Sequence, residues 1–97
     1  MEIEAFESSL ESSGEPPAEL SVELKALWHD ANGDWEKAHE LCQSAGSRDG
    51  DWVHAYLHRV EGDLSNASYW YHRSGQPKFE GSLKEEWRSI VRDLLSR

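Results

Sequence analysis

Apolar residues recur every three to four positions over most of the chain, which is the period of amphipathic α-helices. No segment has the strict alternation of apolar and polar residues that is typical of a half-buried strand. The pattern predicts helices over residues 17–31, 35–45, 51–61 and 64–74 and from residue 83 onward. Near the N-terminus, Ile3, Phe6 and Leu10 share one face, which predicts a short helix or a tail that folds on docking.

The four central helices come from a sequence that repeats once. Residues 26–46 align with residues 55–75 at an offset of 29 residues without a gap, and the copies share Ala, His, Gly, Asp, Ala and Gly at matched positions. Each copy has the pattern of helix, Gly-Asp turn, helix and terminal Gly. Because one such hairpin cannot bury its apolar face alone, we expect the two hairpins to stack.

Residues at the ends of the predicted helices have specific local roles. Pro17 is expected near the first turn of its helix, where its missing N–H has no cost. Gly33 and Gly62 are expected in the left-handed conformation directly after a helix, which glycine adopts without a steric penalty. Ser82 and Glu85 have the spacing of a capping box, which predicts the start of the final helix.

The helix–Gly-Asp–helix unit resembles the tetratricopeptide (TPR) repeat. The residues that carry the resemblance are Ala26, Gly33-Asp34-Trp35 and Ala38 in the first copy, and Ala55, Gly62-Asp63-Leu64, Ala67 and Tyr71 in the second. The resemblance implies an all-α fold, a TPR-like stack of two helix hairpins with a C-terminal capping helix and a short N-terminal helix or tail. The chain as a whole is also similar to small uncharacterised bacterial proteins, which imply no activity.

Composition and charge predict the domain organisation, the classes of partner and the location of the protein. We expect a single helical-repeat domain at residues 16–97, preceded by an acidic N-terminal segment and linker at residues 1–15. The net charge is −9 and no cluster of Lys and Arg is present, so neither nucleic acid nor a membrane surface is an expected partner. The N-terminus lacks the basic region of a secretory signal, and Cys42 is the single cysteine, so we expect a cytoplasmic protein without disulfides.

Aromatic residues are the candidates for partner binding, since the chain has five Trp and three Tyr. Trp52, Tyr56 and Arg59 share one helix face, and the TPR resemblance implies that this face lines a concave groove. On this interpretation, Trp52→Ala and Arg59→Glu abolish partner binding and spare the fold. The alternative is that Trp52 and Tyr56 cover the core. Tyr69 and Trp70 are adjacent, so at least one of them is expected to face solvent or a partner.

Histidines are the candidates for metal-binding or acid–base chemistry. His54, His58 and Glu61 are spaced to lie on one helical face, and two His at i and i+4 can bind zinc with a carboxylate as third ligand. However, the His-Glu-x-x-His signature is absent, and His58 has a repeat equivalent, His29, which favours a packing role. We therefore predict no metal, no cofactor and no catalytic residue.

The function that this sequence favours is a non-catalytic protein-interaction module that binds a peptide or protein segment in a helical groove. Two alternatives remain open. The first is a small metal-dependent or acid–base enzyme that uses His54, His58 and Glu61. The second is a structural homo-oligomer whose exposed aromatic residues form the interface between copies.

Overall fold

A computed structural model describes residues 1–97 and contains six α-helices and no strand, so the prediction of an all-α fold is confirmed. None of these helices combines the length and the apolar character that crossing a membrane requires. The helices are α1 (Ile3–Ser12), α2 (Val22–Ala31), α3 (Trp35–Ala45), α4 (Arg48–Val60), α5 (Leu64–Ser74) and α6 (Leu83–Leu95).

Two helices begin at a serine cap rather than where the apolar period predicts. The α2 helix starts at Val22 and not near Pro17, because the Ser21 hydroxyl accepts a hydrogen bond from the backbone N–H of Leu24. The predicted turn before α4 is the first turn of that helix, since the Ser47 hydroxyl accepts from the N–H of Gly50 at 2.9 Å. A side-chain cap therefore decides each of these two boundaries.

The two repeat turns have the same geometry, as the alignment of the copies predicts. Gly33 and Gly62 have φ values of 85° and 86°, so the left-handed conformation predicted for both is confirmed. In each turn the following aspartate, Asp34 or Asp63, caps the next helix with its carboxylate. The capping box of Ser82 and Glu85 at the start of α6 is also confirmed.

The helices of each copy form a hairpin, and α3 of the first hairpin packs on α4 of the second. Ala38 and Ala67, the small residues of the repeat, are both buried where paired helices meet. Gly50 permits a close approach of α3 and α4, because a Cβ atom there would lie only 2.9 Å from Cβ of Ala45. Small residues thus determine how closely the hairpins pack.

The last helix, α6, covers the first helices of both hairpins. It packs on α1, α2 and α4, and the indole N–H of Trp87 donates to the carbonyl of Leu27 in α2 at 3.0 Å. Phe6 of α1 is fully buried and its ring centroid lies 5.7 Å from that of Trp87. The acidic N-terminal segment therefore contributes to the same core as the hairpins, and α6 occupies the face that the TPR resemblance leaves open.

Candidate functional site

The residues predicted to line an open groove on α4 face α6 instead. Tyr56 is 4% exposed and belongs to the main core, so it is not an accessible anchor on an open face. Arg59 donates to the Glu86 carboxylate of α6 at 2.9 Å and to the carbonyl of Gly81. The expectation that this face is open is wrong, because the apolar side of α6 buries itself there.

The remaining predicted aromatic residues differ in how accessible they are. Trp52 is half-buried and packs against the core, as the alternative interpretation for it predicts. Tyr69 is 54% exposed, and the side chain of Arg73 lies over its ring at 6.0 Å. Trp70 is half-buried and stacks on the ring of His54, with centroids 3.9 Å apart. Of the two adjacent aromatics, Tyr69 is the one that faces solvent.

A buried carboxylate, Glu86, joins three helices. It is 1% exposed, and besides its bond from Arg59 it accepts a hydrogen bond from the Tyr71 hydroxyl of α5 at 2.5 Å. Burial, together with the adjacent Glu86, raises the pKa of Tyr71 above its ordinary value, so the phenol remains a donor. Sequence reasoning did not single out Glu86, although its place next to Trp87 and four residues before Ile90 indicates an inward position.

An open groove does exist, but between α1, α2 and α6. Its volume is about 620 Å³. Its lining combines buried apolar side chains with carboxylates that are exposed or half-buried, and consists of Glu4, Glu7, Ser8, Leu10, Glu11, Asp30, Ala31, Tyr56, Lys84 and Trp87. Tyr56, a predicted binding residue, therefore lies on the buried floor of a groove. This groove is not the one predicted on an open face of α4.

The rim of this groove has an excess of negative charge. Four of its lining residues are acidic, Lys84 is the single cationic one, and Arg88 beside the groove is already paired with Glu7 at 3.1 Å. Desolvation raises the pKa of the Asp30 carboxyl, and the neighbouring Tyr56 hydroxyl opposes this effect. The groove can therefore attract cations at its rim and take apolar groups on its floor.

A second candidate site is a cluster of three histidines between α3 and α4. His54 and His58 lie one turn apart on α4 and are 3% and 6% exposed, and His39 of α3 packs against both. The Nε2 atoms of His39 and His54 are 2.9 Å apart, which is a hydrogen-bond distance. Such a contact requires at least one of the two rings to be neutral, because two imidazolium rings offer only donors.

Two tryptophans and a glutamate hold the histidine cluster in place. Trp35 stacks on His39 with centroids 4.8 Å apart, and its own indole N–H donates to the carbonyl of Leu57 at 2.8 Å. On the other side Trp70 stacks on His54, as described above. The Glu61 carboxylate lies 2.5 Å from Nδ1 of His58. The rings are therefore restrained on both faces of the cluster.

Burial lowers the pKa of the two histidines that share the short contact. Desolvation is the main cause for both, and the neighbouring histidines add to it. The pKa of His54 falls to about 4. Both imidazoles are consequently neutral at physiological pH, with a lone pair on one nitrogen of each ring.

Of these three histidines, sequence reasoning identified His54 and His58 but missed His39. The pair on α4 has a helical spacing that can be read directly from the sequence. His39 lies on the other side of a tight connection between helices, so only the packing of α3 on α4 brings it near. A weak signal was present in Trp35, four residues before His39 on the same helical face.

No protein-family model, no curated protein and no solved structure matches this chain.

Proposed function

We propose that this protein is a non-catalytic interaction module that binds a basic, amphipathic protein segment in the groove between α1, α2 and α6. The observation that carries the proposal is the composition of the groove, an apolar floor with a carboxylate rim. The repeat hairpins then serve as a TPR-like scaffold for α1 and α6. The matching geometry of their two Gly-Asp turns supports that interpretation.

The floor of the groove is suited to apolar side chains of a partner. Leu10 and Trp87 contribute apolar surface, and the Trp87 ring is fixed by its hydrogen bond to Leu27 and its contact with Phe6. A fixed aromatic ring loses little conformational entropy when a partner binds, which favours affinity.

The rim determines which segment is favoured. Glu4 and Glu11 lie on the exposed side of α1, Asp30 lies opposite on α2, and the chain as a whole has a net charge of −9. Lys and Arg side chains of a partner would meet these carboxylates while their neighbouring apolar residues reach the floor. The overall field also accelerates the approach of a basic segment and repels an acidic one.

The test uses a synthetic amphipathic helix of Leu and Lys as the probe and a Leu and Glu helix of the same pattern as its counterpart. Fluorescence anisotropy of the labelled peptides measures binding to the full chain. We expect the Lys peptide to bind and the Glu peptide not to bind. The double variant Glu4→Lys and Glu11→Lys should weaken binding by at least tenfold, since two rim charges contribute about 1.4 kcal/mol or more together.

The matched control reverses the same number of charges on another helix. Glu36 and Glu40 are exposed on α3, and Glu36 lies in the first turn of α3 as Glu4 does in α1. Glu36→Lys with Glu40→Lys should leave peptide affinity within about threefold of the original. This small loss reflects the change in net charge, which is the same in both double variants. Equal losses of affinity in the two double variants would mean that the net charge of the chain attracts the cationic peptide without a specific groove, and would contradict the proposal.

A further inference from the structure

The three-histidine cluster is a unique feature of one part of the chain and not a repeated packing element. His29 and His58 are repeat equivalents, and in both copies the carbonyl at this position accepts from the N–H of the capping aspartate. The other two histidines of the cluster are not repeated. The first-copy equivalent of His54 is Lys25, and the second-copy equivalent of His39 is Ser68. The repeat therefore explains the backbone at His58 and leaves its imidazole without a repeat-wide packing role.

The donor atoms of the cluster are close enough to share one ion. One ring nitrogen from each of His39, His54 and His58 lies within 4.8 Å of the other two. Around a tetrahedral zinc ion with Zn–N distances near 2.05 Å, such nitrogens would be about 3.3 Å apart. The His39 and His54 nitrogens, 2.9 Å apart, would have to separate by about 0.4 Å to share the ion, and the third histidine nitrogen lies within 4.8 Å of both.

Glu61 selects the nitrogen that His58 offers to the cluster. The carboxylate lies at Nδ1, so Nδ1 is engaged as a donor and Nε2 is the nitrogen of His58 that can coordinate an ion. A carboxylate that holds the far nitrogen of a histidine is the usual support of a metal-binding imidazole, which it orients and makes more basic. In this arrangement Glu61 is a positioning residue and not a ligand.

We propose that His39, His54 and His58 form a binding site for one zinc ion, a function beyond that of the peptide groove. Imidazole nitrogens are common zinc ligands, and three protein ligands leave a fourth position for water. Zinc would join α3 to α4 and thereby the first hairpin to the second. The sequence-based prediction of no metal rests on the missing His-Glu-x-x-His signature and on the repeat equivalence of His58, and it does not take His39 into account.

A neighbouring donor group is less suitable for the same ion. His58, Glu61 and Asp63 also lie close together, but both carboxylates are exposed. Asp63 is engaged as the cap of α5, where its carboxylate accepts from the N–H of Asn66. The Nδ1 atom of His58 is held by Glu61 in this group. The buried three-histidine set therefore remains the stronger candidate.

The experiment begins with the full chain treated with a chelator and dialysed, followed by calorimetric titration with zinc chloride. We expect about one zinc ion per chain, and a melting temperature that rises with zinc concentration because the ion binds the folded state. Cobalt(II) in place of zinc should give the intense visible absorption of a tetrahedral site. A wild-type chain that shows neither zinc binding nor this cobalt spectrum would overturn the proposal without any variant.

Variants then locate the ion. His39→Gln is the main test, because His39 is only half-buried and its replacement is least disruptive to the core. It should weaken zinc binding by more than about 100-fold, whereas Glu61→Gln should weaken it by about 10–100-fold, as expected for a supporting residue. His29→Gln, at the repeat equivalent of His58, is the matched control and should bind zinc like the original chain.

The cobalt spectrum separates a ligand role from a merely structural one. His39→Gln should lose the tetrahedral absorption while its helical circular dichroism is retained, and Asp63→Asn should keep the absorption. Zinc binding that survives His39→Gln but is lost in Asp63→Asn would assign the ion to the exposed group and contradict the proposal. Binding lost equally in His29→Gln would also contradict it, because His29 lies outside the cluster.

Discussion

At the scale of single residues, burial is the main cause of the shifted pKa values of Asp30, His39 and His54. Asp30 shows the effect, because it is at the groove yet sufficiently enclosed that desolvation raises its pKa. A carboxyl whose pKa is higher in the folded chain than in the unfolded chain stabilises folding at low pH, and this stability is lost as the pH rises through the folded-state pKa. At neutral pH the ionised Asp30 therefore has a net cost to folding.

This cost leads to a prediction for Asp30→Asn. The amide cannot ionise, so the variant should have a higher melting temperature than the original chain at pH 7. The difference should shrink as the pH falls through the folded-state pKa of Asp30 toward the ordinary aspartate value of 3.8, below which Asp30 is protonated in both states. Thermal melts between pH 3 and pH 8 measure it, with Asp34→Asn, an exposed helix cap, as comparison. A variant less stable than the original at neutral pH would show that the ionised carboxylate is favourable.

Residue-scale features differ in how well the sequence predicts them. The positive φ of Gly33 and Gly62 and the capping box at Ser82 depend only on neighbours within a few positions, so the sequence suffices. His39 depends on packing between α3 and α4, and no local pattern reports that contact. The sequence therefore identifies the two histidines of the candidate site that lie on α4 and misses the one on α3.

At the scale of helices and turns, the two hairpins depend on the conformation of their Gly-Asp turns. Gly62 has a φ of 86°, and a Cβ atom added there would meet no other atom within 4 Å. The expected cost of a side chain at this position is thus purely the cost of the left-handed backbone. A substitution at Gly62 therefore measures backbone strain without overpacking. A substitution at Gly50 would not, because a side chain there would also collide with Ala45.

We predict that Gly62→Val lowers the free energy of unfolding by more than about 1 kcal/mol, because a β-branched residue is strongly disfavoured at positive φ. Gly62→Asn should cost less, since Asn tolerates this conformation best among residues with a side chain. Gly14→Val is the control, because Gly14 is exposed, has no positive φ and has open space around it. Chemical denaturation measures all three, and equal stability of Gly62→Val and the original chain would contradict the repeat-turn interpretation.

Helix boundaries were harder to predict than the helices themselves. The period of apolar residues is continuous from Leu20 into α2, so it does not reveal that Ser21 begins the helix. Likewise the cluster of polar residues around Arg48 is typical of a turn, although the Ser47 cap makes it helical. In both cases one side-chain hydrogen bond to a backbone N–H outweighs the composition of the segment.

At the scale of the whole molecule, the position of α6 is the part of the fold that the sequence leaves open. The sequence predicts a C-terminal capping helix, but not the surface on which that helix packs. A helix amphipathic enough to close a stack can equally cover α2 and α4, and the sequence does not distinguish these arrangements. The feature that identifies the observed one is the buried Glu86, whose partners Arg59 and Tyr71 lie on α4 and α5.

The last prediction concerns this three-helix connection. Glu86→Ala leaves the mostly buried Arg59 without its partner, so it should lower the free energy of unfolding by about 2–4 kcal/mol, less than a fully buried pair because Arg59 is partly exposed. Arg59→Glu should also destabilise strongly, because it places a second carboxylate against Glu86, in contrast to the groove interpretation in which it spares the fold. The double variant Arg59→Met with Glu86→Leu should be more stable than Glu86→Ala, since no buried charge is left unpaired.

A double-mutant cycle decides whether the pair is coupled in this way. The cycle combines Arg59→Met and Glu86→Leu with the two single variants, and urea denaturation gives the free energy of unfolding of each chain. A coupling energy near zero would mean that the Arg59–Glu86 pair does not decide where α6 docks and that its other contacts, such as those of Trp87 and Ile90, suffice. A coupling of about 1 kcal/mol or more would show that the ionic contact specifies where α6 docks, because an apolar helix face could otherwise pack in several registers.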